Sequence, residues 1–294
     1  MMRYAFFPGC VSRGGCPELY PAAVKVAQKL GIELEEMSDV GCTGAGCLSR
    51  EVSDPINART FAKAEQKGLP ILVLCSTCQG VMSQANDRFK QDPAYLRRIN
   101  ADFLADEGLE YKGTTQIKHI LWVLFEDVGV EKLQKLIVRP LTGIHIAPFY
   151  GCYIRRPGKV ISEGGAYPKR RSYLDDLIEL VGATFSNFGG KGKCCGFPIL
   201  SASEENSLAM AGDHTLEAKE KGAHAMVTPC PLCHLNLDGN QPRAAAQKGT
   251  DIDLPILHMP QMLGLAMGFS PEEMELKRHI VSTRQLSKQV TMLS

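Results

Sequence analysis

The sequence predicts an α/β protein of two homologous halves, each a mainly parallel sheet with flanking helices. Three observations lead there: the cysteine spacing repeats, short apolar β-type runs alternate with helical patterns, and 294 residues suffice for two domains of common size. In the repeat, Cys10 pairs with Cys152, Cys42 with Cys194, Cys75 with Cys230 and Cys78 with Cys233. Local context repeats with it. Phe6-Phe7-Pro8-Gly9-Cys10 matches Pro148-Phe149-Tyr150-Gly151-Cys152, and each half ends its pattern in Cys-x-x-Cys.

The elements follow in order. Residues 4–7 form an apolar run closed by Pro8-Gly9, hence a strand. Over 18–30, Leu19, Ala22, Ala23, Val26 and Leu30 fall at helical spacing before Gly31, a good C′ residue. Asp54-Pro55 reads as N-cap and first helical residue of a helix stopped by Gly68. A strand over 71–74 leads into Cys75. Arg139-Pro140 divides the halves, placed at 1–138 and 139–294, and each half is expected to bury its own core. The second half then predicts a strand over 143–147, helices over 171–181 and 203–221 closed by Gly182 and Gly222, and a strand over 225–228. From Pro271, with Ser270 as cap and Glu272 and Glu273 in the first turn, a charged amphipathic surface helix is expected. In parallel α/β sheets, sites lie beyond the carboxyl ends of strands, which is where the cysteines fall.

Composition narrows the function. Lys plus Arg number 33 against 32 Asp plus Glu, a net charge of +1, which shows neither a nucleic-acid surface nor a polyanionic tail. The N-terminal apolar run is too short for a signal peptide. The longest apolar stretch, 252–269, is broken by Asp253, Pro255, His258 and Pro260, so no transmembrane segment is expected. The protein is expected to be soluble and cytoplasmic. There, 11 cysteines, an odd number, argue for metal or redox chemistry ahead of structural disulfides.

Soft thiolates select zinc or iron–sulfur clusters. Tetrahedral zinc is usually held by two close ligand pairs, whereas Cys194 and Cys195 are adjacent and Cys152, Cys230 and Cys233 make five. Vicinal thiolates in extended backbone point apart and suit different irons of one cluster. At Cys194-Cys195-Gly196 the chain resembles the cysteine-rich CCG domain of the family of heterodisulfide reductase B subunits, whose relatives include iron–sulfur subunits of glycolate, lactate, succinate and fumarate enzymes. The resemblance spans nearly the whole chain. It implies a non-cubane [4Fe-4S] cluster on Cys152, Cys194, Cys195, Cys230 and Cys233, with Cys194 and Cys195 at the centre of catalysis. A substrate disulfide is split at such clusters.

The first half departs from that pattern. Thr43 stands where the family has the second vicinal cysteine; Cys10, Cys42, Cys75 and Cys78 remain, and Cys16 and Cys47 are extra. Four thiolates suit a second iron–sulfur cluster or a structural zinc, Cys47 could supply a displaced fifth ligand, and an empty or disulfide-forming site stays open. With one altered site, the chain looks less like the methanogen enzyme that reduces a coenzyme heterodisulfide. It looks more like the B subunit of the heterodisulfide reductase-like complex of sulfur oxidation. By that resemblance its substrate is sulfur on a lipoate-binding carrier protein, and its partners are a flavin-containing A-type and a ferredoxin-like C-type subunit. Rival readings are a pure electron relay, whose cluster would be shielded from solvent, and a zinc-stabilised binding protein.

Other residues carry weaker signals. His234 after the last cysteine is either a proton-handling group or a histidine exposed at the rim. Arg155, Arg156, Lys191 and Lys193 could hold an anionic substrate or offset cluster charge, or simply be solvated. His145 in an apolar run reads as a core histidine satisfied by a hydrogen bond. Residues 189–193 lack the Gly-x-x-x-x-Gly-Lys-Ser/Thr phosphate loop, and no dinucleotide fingerprint follows a strand, so a flavin belongs on another polypeptide.

Overall fold

The computed structural model describes residues 2–293. Among them are two four-stranded parallel sheets of identical order. The first runs β2-β1-β3-β4 and the second β6-β5-β7-β8. The strands are β1 (Met2–Phe7), β2 (Ile32–Glu36), β3 (Ile71–Val73), β4 (Ile117–His119), β5 (His145–Pro148), β6 (Thr184–Phe185), β7 (Ala225–Thr228) and β8 (Ile256–His258). Central strands are continuously apolar because both faces are covered, as parallel sheets with helical crossovers require; Ala5, Phe6, Phe7 and all of β3 and β7 are buried. Register aligns the exits. Phe7 is level with Val73, and Pro148 with Val227, so Cys10 and Cys75, like Cys152 and Cys230, leave their sheets side by side.

The expected helices over 18–30, 171–181 and 203–221 form as Leu19–Lys29, Tyr173–Leu180 and Glu204–Glu220, with Glu18 and Ser203 as N-caps of the first and last. Two expectations fail. The helix assigned to Asp54-Pro55 begins earlier, as Arg50–Gln66 with Ser49 as cap and Pro55 inside. Asp54 is fully buried and takes the guanidinium of Arg88 and the hydroxyl of Tyr95 (3.1 Å), so its carboxylate is a core anchor and not a cap. At Pro271 the cap forms, with Glu273 N donating to Ser270 Oγ at 3.1 Å, yet only one turn follows. Glu275 adopts φ 58°, a left-handed conformation that ends it; the terminal helix is Arg284–Thr291, which buries Leu286 and Val290.

Nor does each half bury its own core. One continuous apolar cluster contains Leu19, Ala22 and Val26 of the first half with Met262, Leu263 and Ala266 of the second, because the helix after β8, Met259–Ala266, packs on Leu19–Lys29. The segment after β4 crosses the other way. Phe125 stacks on Tyr173 (centroids 4.6 Å), and buried Arg170 forks onto Glu126 at 2.7 and 2.9 Å over the face of Trp122. This exchange holds the cysteine-bearing ends of the two sheets against each other. At Gly80 the halves approach so closely that a Cβ would lie 2.6 to 2.9 Å from Tyr153.

Candidate metal centres

The cysteines leave the sheets through repeated local structure. Cys75 N-caps the helix Ser76–Gln91 and its Sγ accepts Cys78 N–H (3.5 Å); Cys230 N-caps the short helix Pro231–His234. Cys42 and Cys194 lie in loops built alike, with Gly44 N–H donating to Cys42 Sγ and Gly196 N–H to Cys194 Sγ, both at 3.5 Å. Gly44 (φ 92°) and Gly196 (φ 94°) hold left-handed backbone that a side chain would strain. The same equivalence puts Thr43 where Cys195 stands. Its Oγ1 donates to Cys78 Sγ at 3.5 Å, while Cys195 meets the thiol of Cys233.

In the second half the sulfurs form a chain of neighbours, Cys152 to Cys194 to Cys195 to Cys233 to Cys230. In the first, Cys10 Sγ lies 3.8 Å from Cys42 Sγ, and Cys75 bonds Cys78. The two sets touch: Cys75 Sγ is 3.9 Å from Cys230 Sγ, and Thr77 Oγ1 is 3.4 Å from the same sulfur. Cys47 stands by Tyr153, its thiol directed at Ala45 O (3.9 Å).

Charge distribution shows what such a set needs. The Cys152 and Cys195 thiols donate to Cys194 and lower it to about 2, while Cys152 is raised by that same bond and by burial. Cys230 is pulled well down by the thiols of Cys233 and Cys75, which are themselves pushed well up, and Cys78 is lowered by Cys75 and Thr43. Without a cation, each thiolate therefore depends on neighbours that stay protonated. Ionising all five second-half sulfurs requires metal charge, and five thiolates exceed the four ligands of tetrahedral zinc and suit an iron–sulfur cluster. The backbone leaves room for large sulfur atoms: a Cβ on Gly151 (φ 68°) would lie 2.8 Å from Cys233 Sγ. These residues fit an iron–sulfur cluster.

Exposure differs around the centres. Cys195, Cys230 and Cys233 are buried, Cys152 and Cys194 half-buried, and Cys10, Cys42 and Cys47 exposed. A small cavity of about 20 Å³ is lined by all five second-half cysteines together with Tyr153, Phe197, Thr77 and Ala45. Of the basic residues, Arg155 lies over the Tyr150 ring (5.0 Å) and Lys191 pairs with Asp175 (3.2 Å), whereas Arg156 and Lys193 are exposed. His234 is buried and not at an exposed rim: the crossing of the two halves covers it, and its Nε2 meets Ile256 O at 3.0 Å. His145 lies outside the core, half-exposed at the start of β5 against the ring of His224 (5.1 Å).

Several supporting groups escape sequence reading. His214 Nε2 donates to Cys194 O (2.9 Å) and Asn236 Nδ2 to Cys195 O (2.7 Å), fixing the vicinal pair. From the first half, His119 Nε2 (2.9 Å) and Ser76 Oγ (3.1 Å) both donate to Pro229 O, holding the second Cys-x-x-Cys turn. For His214 and Asn236 the only local signal is a polar residue on an otherwise buried helical stripe.

Comparison with known proteins agrees with this geometry. The model of the CCG cysteine-rich domain matches residues 4–83 and 146–238. The chain belongs to this family. It is 33% identical over 287 residues to the 8-methylmenaquinol:fumarate reductase membrane anchor subunit of Wolinella succinogenes, covering 96% of this chain and 98% of that one. It is 29% identical over 300 residues to the B subunit of the ferredoxin/F(420)H(2)-dependent CoB-CoM heterodisulfide reductase of Methanosarcina acetivorans (100% and 99% covered). To a protein of Archaeoglobus profundus named as like the B subunit of heterodisulfide reductase, it is 30% identical over 279 residues, covering 93% of each. A crystal structure of a hypothetical protein from Helicobacter pylori superposes with a TM-score of 0.76 over 95% of this chain at 14% identity, a likeness of fold; the chain spans 52% of that structure. This CCG protein is thus a heterodisulfide reductase B-like iron–sulfur subunit. Among its described residues no helix is long and apolar enough to cross a membrane.

Proposed function

We propose that this CCG protein is the sulfur-handling, electron-transferring subunit of a heterodisulfide reductase-like complex. Its substrate would be a disulfide, or sulfur carried on a lipoate-type group, as met in sulfur oxidation. One observation carries the reading. The second-half thiols are not sealed: Cys152 and Cys194 are only half-buried at the edge of the small cavity that all five cysteines line, where a pure relay would bury them. Cys152, Cys194, Cys195, Cys230 and Cys233 would hold a non-cubane [4Fe-4S] cluster, which when bound supplies reducing equivalents and iron for sulfur to meet. Splitting one S–S bond takes two electrons and two protons and yields two thiols; oxidation returns them.

Cys10, Cys42, Cys75 and Cys78 would hold the second centre, cluster or zinc, with the Thr43 hydroxyl on Cys78 in place of a fifth thiolate. The exposed Cys10 and Cys42 edge would face the flavin and ferredoxin-like partner subunits, and the 3.9 Å contact between Cys75 and Cys230 would carry electrons between centres.

Titration of anaerobically purified protein with thiols and disulfides, followed by electron paramagnetic resonance, tests this. A spectrum that changes with substrate is expected. The 33% identity to a fumarate reductase subunit favours the relay as the second reading, and a spectrum indifferent to every thiol would select it.

A further inference from the structure

Behind the Cys230 to Cys233 turn, four side chains converge that no cysteine repeat accounts for. Cys16, Glu18, His234 and His258 are 1%, 3%, 3% and 1% exposed, and their ligand atoms all lie within 4.8 Å of one another. Cys16 Sγ is 3.7 Å from His234 Nδ1, Glu18 Oε1 is 3.8 Å from that nitrogen, and Glu18 Oε1 is 2.7 Å from His258 Nε2. Four such ligands around tetrahedral zinc, at roughly 2.0–2.3 Å from the metal, stand about 3.3–3.7 Å apart. The first distance is already there, the second closes by a few tenths of an ångström, and the third opens by about half an ångström to admit the ion. We propose that Cys16, Glu18, His234 and His258 bind a zinc-class divalent cation that pins the two halves together.

The donor set is that of a closed structural site, with one soft thiolate, two imidazoles and one carboxylate. His234 is prepared for the role. Its Nε2–H is shared between Ile256 O at 3.0 Å and His279 Nδ1 at 3.1 Å, which leaves the Nδ1 lone pair aimed at the cluster, the outer arrangement that orients metal-bound histidines. Glu18, buried at the N-cap of the helix Leu19–Lys29, has His234 and His258 as its ion-pair partners; His279 and Arg278 act on it from further off, and among the described residues no Lys or Arg reaches it within ion-pair distance. A divalent cation supplies the missing charge. His258 changes partner on loading: its Nδ1 now accepts the Gln261 backbone N–H and its Nε2 faces Glu18, so the metal takes Nε2 at the expense of that cap. The reciprocal bond from His258 N to Gln261 Oε1 (2.9 Å) keeps the helix start in place.

Asymmetry between the halves argues that the cluster is not a by-product of duplication. The counterparts of His234 and His258 are Gln79 and His119. Gln79 bonds Ser83 and Ile117 O, and His119 bonds Pro229 O next to Cys230, and among the described residues neither has a carboxylate within ion-pair distance. The second-half segment matching Cys16 and Glu18 carries neither a cysteine nor an acid.

The test is metal analysis of the anaerobically purified, cluster-loaded protein, with Cys16→Ser and Glu18→Gln beside wild type. Wild type is expected to hold one zinc per chain, with a zinc absorption fine structure of one sulfur and three nitrogen or oxygen neighbours. Either variant should lose zinc several-fold while iron and acid-labile sulfide stay level; Glu18→Gln serves if the serine variant fails to fold. Wild type that takes up no zinc, or zinc unmoved by both substitutions, overturns the proposal in favour of a hydrogen-bonded network. A four-sulfur zinc shell also overturns it, by placing the ion at Cys10, Cys42, Cys75 and Cys78. Because iron and zinc are read separately, iron without zinc sinks this inference alone, and zinc without iron sinks the proposed function alone.

Discussion

Thr77→Val isolates the coupling between the centres. Thr77 belongs to the first half, is 7% exposed, and reaches a proposed second-half ligand with Oγ1 3.4 Å from Cys230 Sγ. Valine keeps the shape and removes the hydroxyl. A hydrogen bond to a charged acceptor contributes about 1.5–3 kcal/mol. As a cluster ligand Cys230 would be thiolate in both oxidation states, so only the part that grows with the electron added on reduction moves the potential, about 1 kcal/mol. At about 59 mV per 1.4 kcal/mol for one electron, the second-half centre should become harder to reduce by roughly 40 mV. Redox titration of anaerobic protein followed by electron paramagnetic resonance reads this directly, with Thr77→Ser as the control that keeps the hydroxyl. A valine variant with an unmoved potential, or one shifted equally by serine, would refute the assignment of Thr77 as a donor to a cluster ligand.

Three further outcomes follow from the same geometry. Thr43→Cys restores a vicinal pair beside Cys78 and should make the first-half spectrum approach that of the second half, with iron per chain unchanged or higher; a spectrum identical to wild type would show that Thr43 does not decide the first centre. Gly80→Ala places a Cβ 2.6 to 2.9 Å from Tyr153, including its backbone oxygen, and should cost about 1–3 kcal/mol, read as a lower anaerobic thermal midpoint. Full burial holds His119 at about 4 against 6.5 unfolded. Since the folded value lies below the unfolded one, the unfolded chain takes the proton first as pH falls. The contribution is therefore complete above pH 6.5 and lost toward pH 4, about 3 kcal/mol in all. His119→Gln should be less stable at pH 7.5 but lose less between pH 7.5 and 5 than wild type, and equal acid lability in both would contradict this.

The parts of the molecule legible in the sequence are those set by local pattern. Buried parallel strands announce themselves as apolar runs, glycine stops mark helix ends at Gly31 and Gly182, and the paired cysteines point to the family. What stays hidden depends on contacts between distant residues. Asp54 looks like a cap because Asp-Pro is a local signal, and only its bond to Arg88, 34 residues on, reveals a core anchor. The turn at Pro271 has good capping chemistry that a left-handed Glu275 overrides. His234 reads as either functional or exposed because nothing near it in sequence says that helix Met259–Ala266 and Cys16 come from opposite ends of the chain to cover it. The shared core escapes for the same reason: apolar periodicity shows that a helix face is buried, and not which half buries it.

The central claim is that five second-half cysteines hold one iron–sulfur cluster open to sulfur substrates. Its most direct test compares wild type with Cys195→Ser by iron and acid-labile sulfide content and by electron paramagnetic resonance, both anaerobic. The account predicts iron and sulfide in wild type, with an unusual, thiol-responsive signal that the serine variant lacks while any first-half signal persists. Identical spectra for the two proteins, or wild type containing zinc but neither iron nor sulfide, would contradict it.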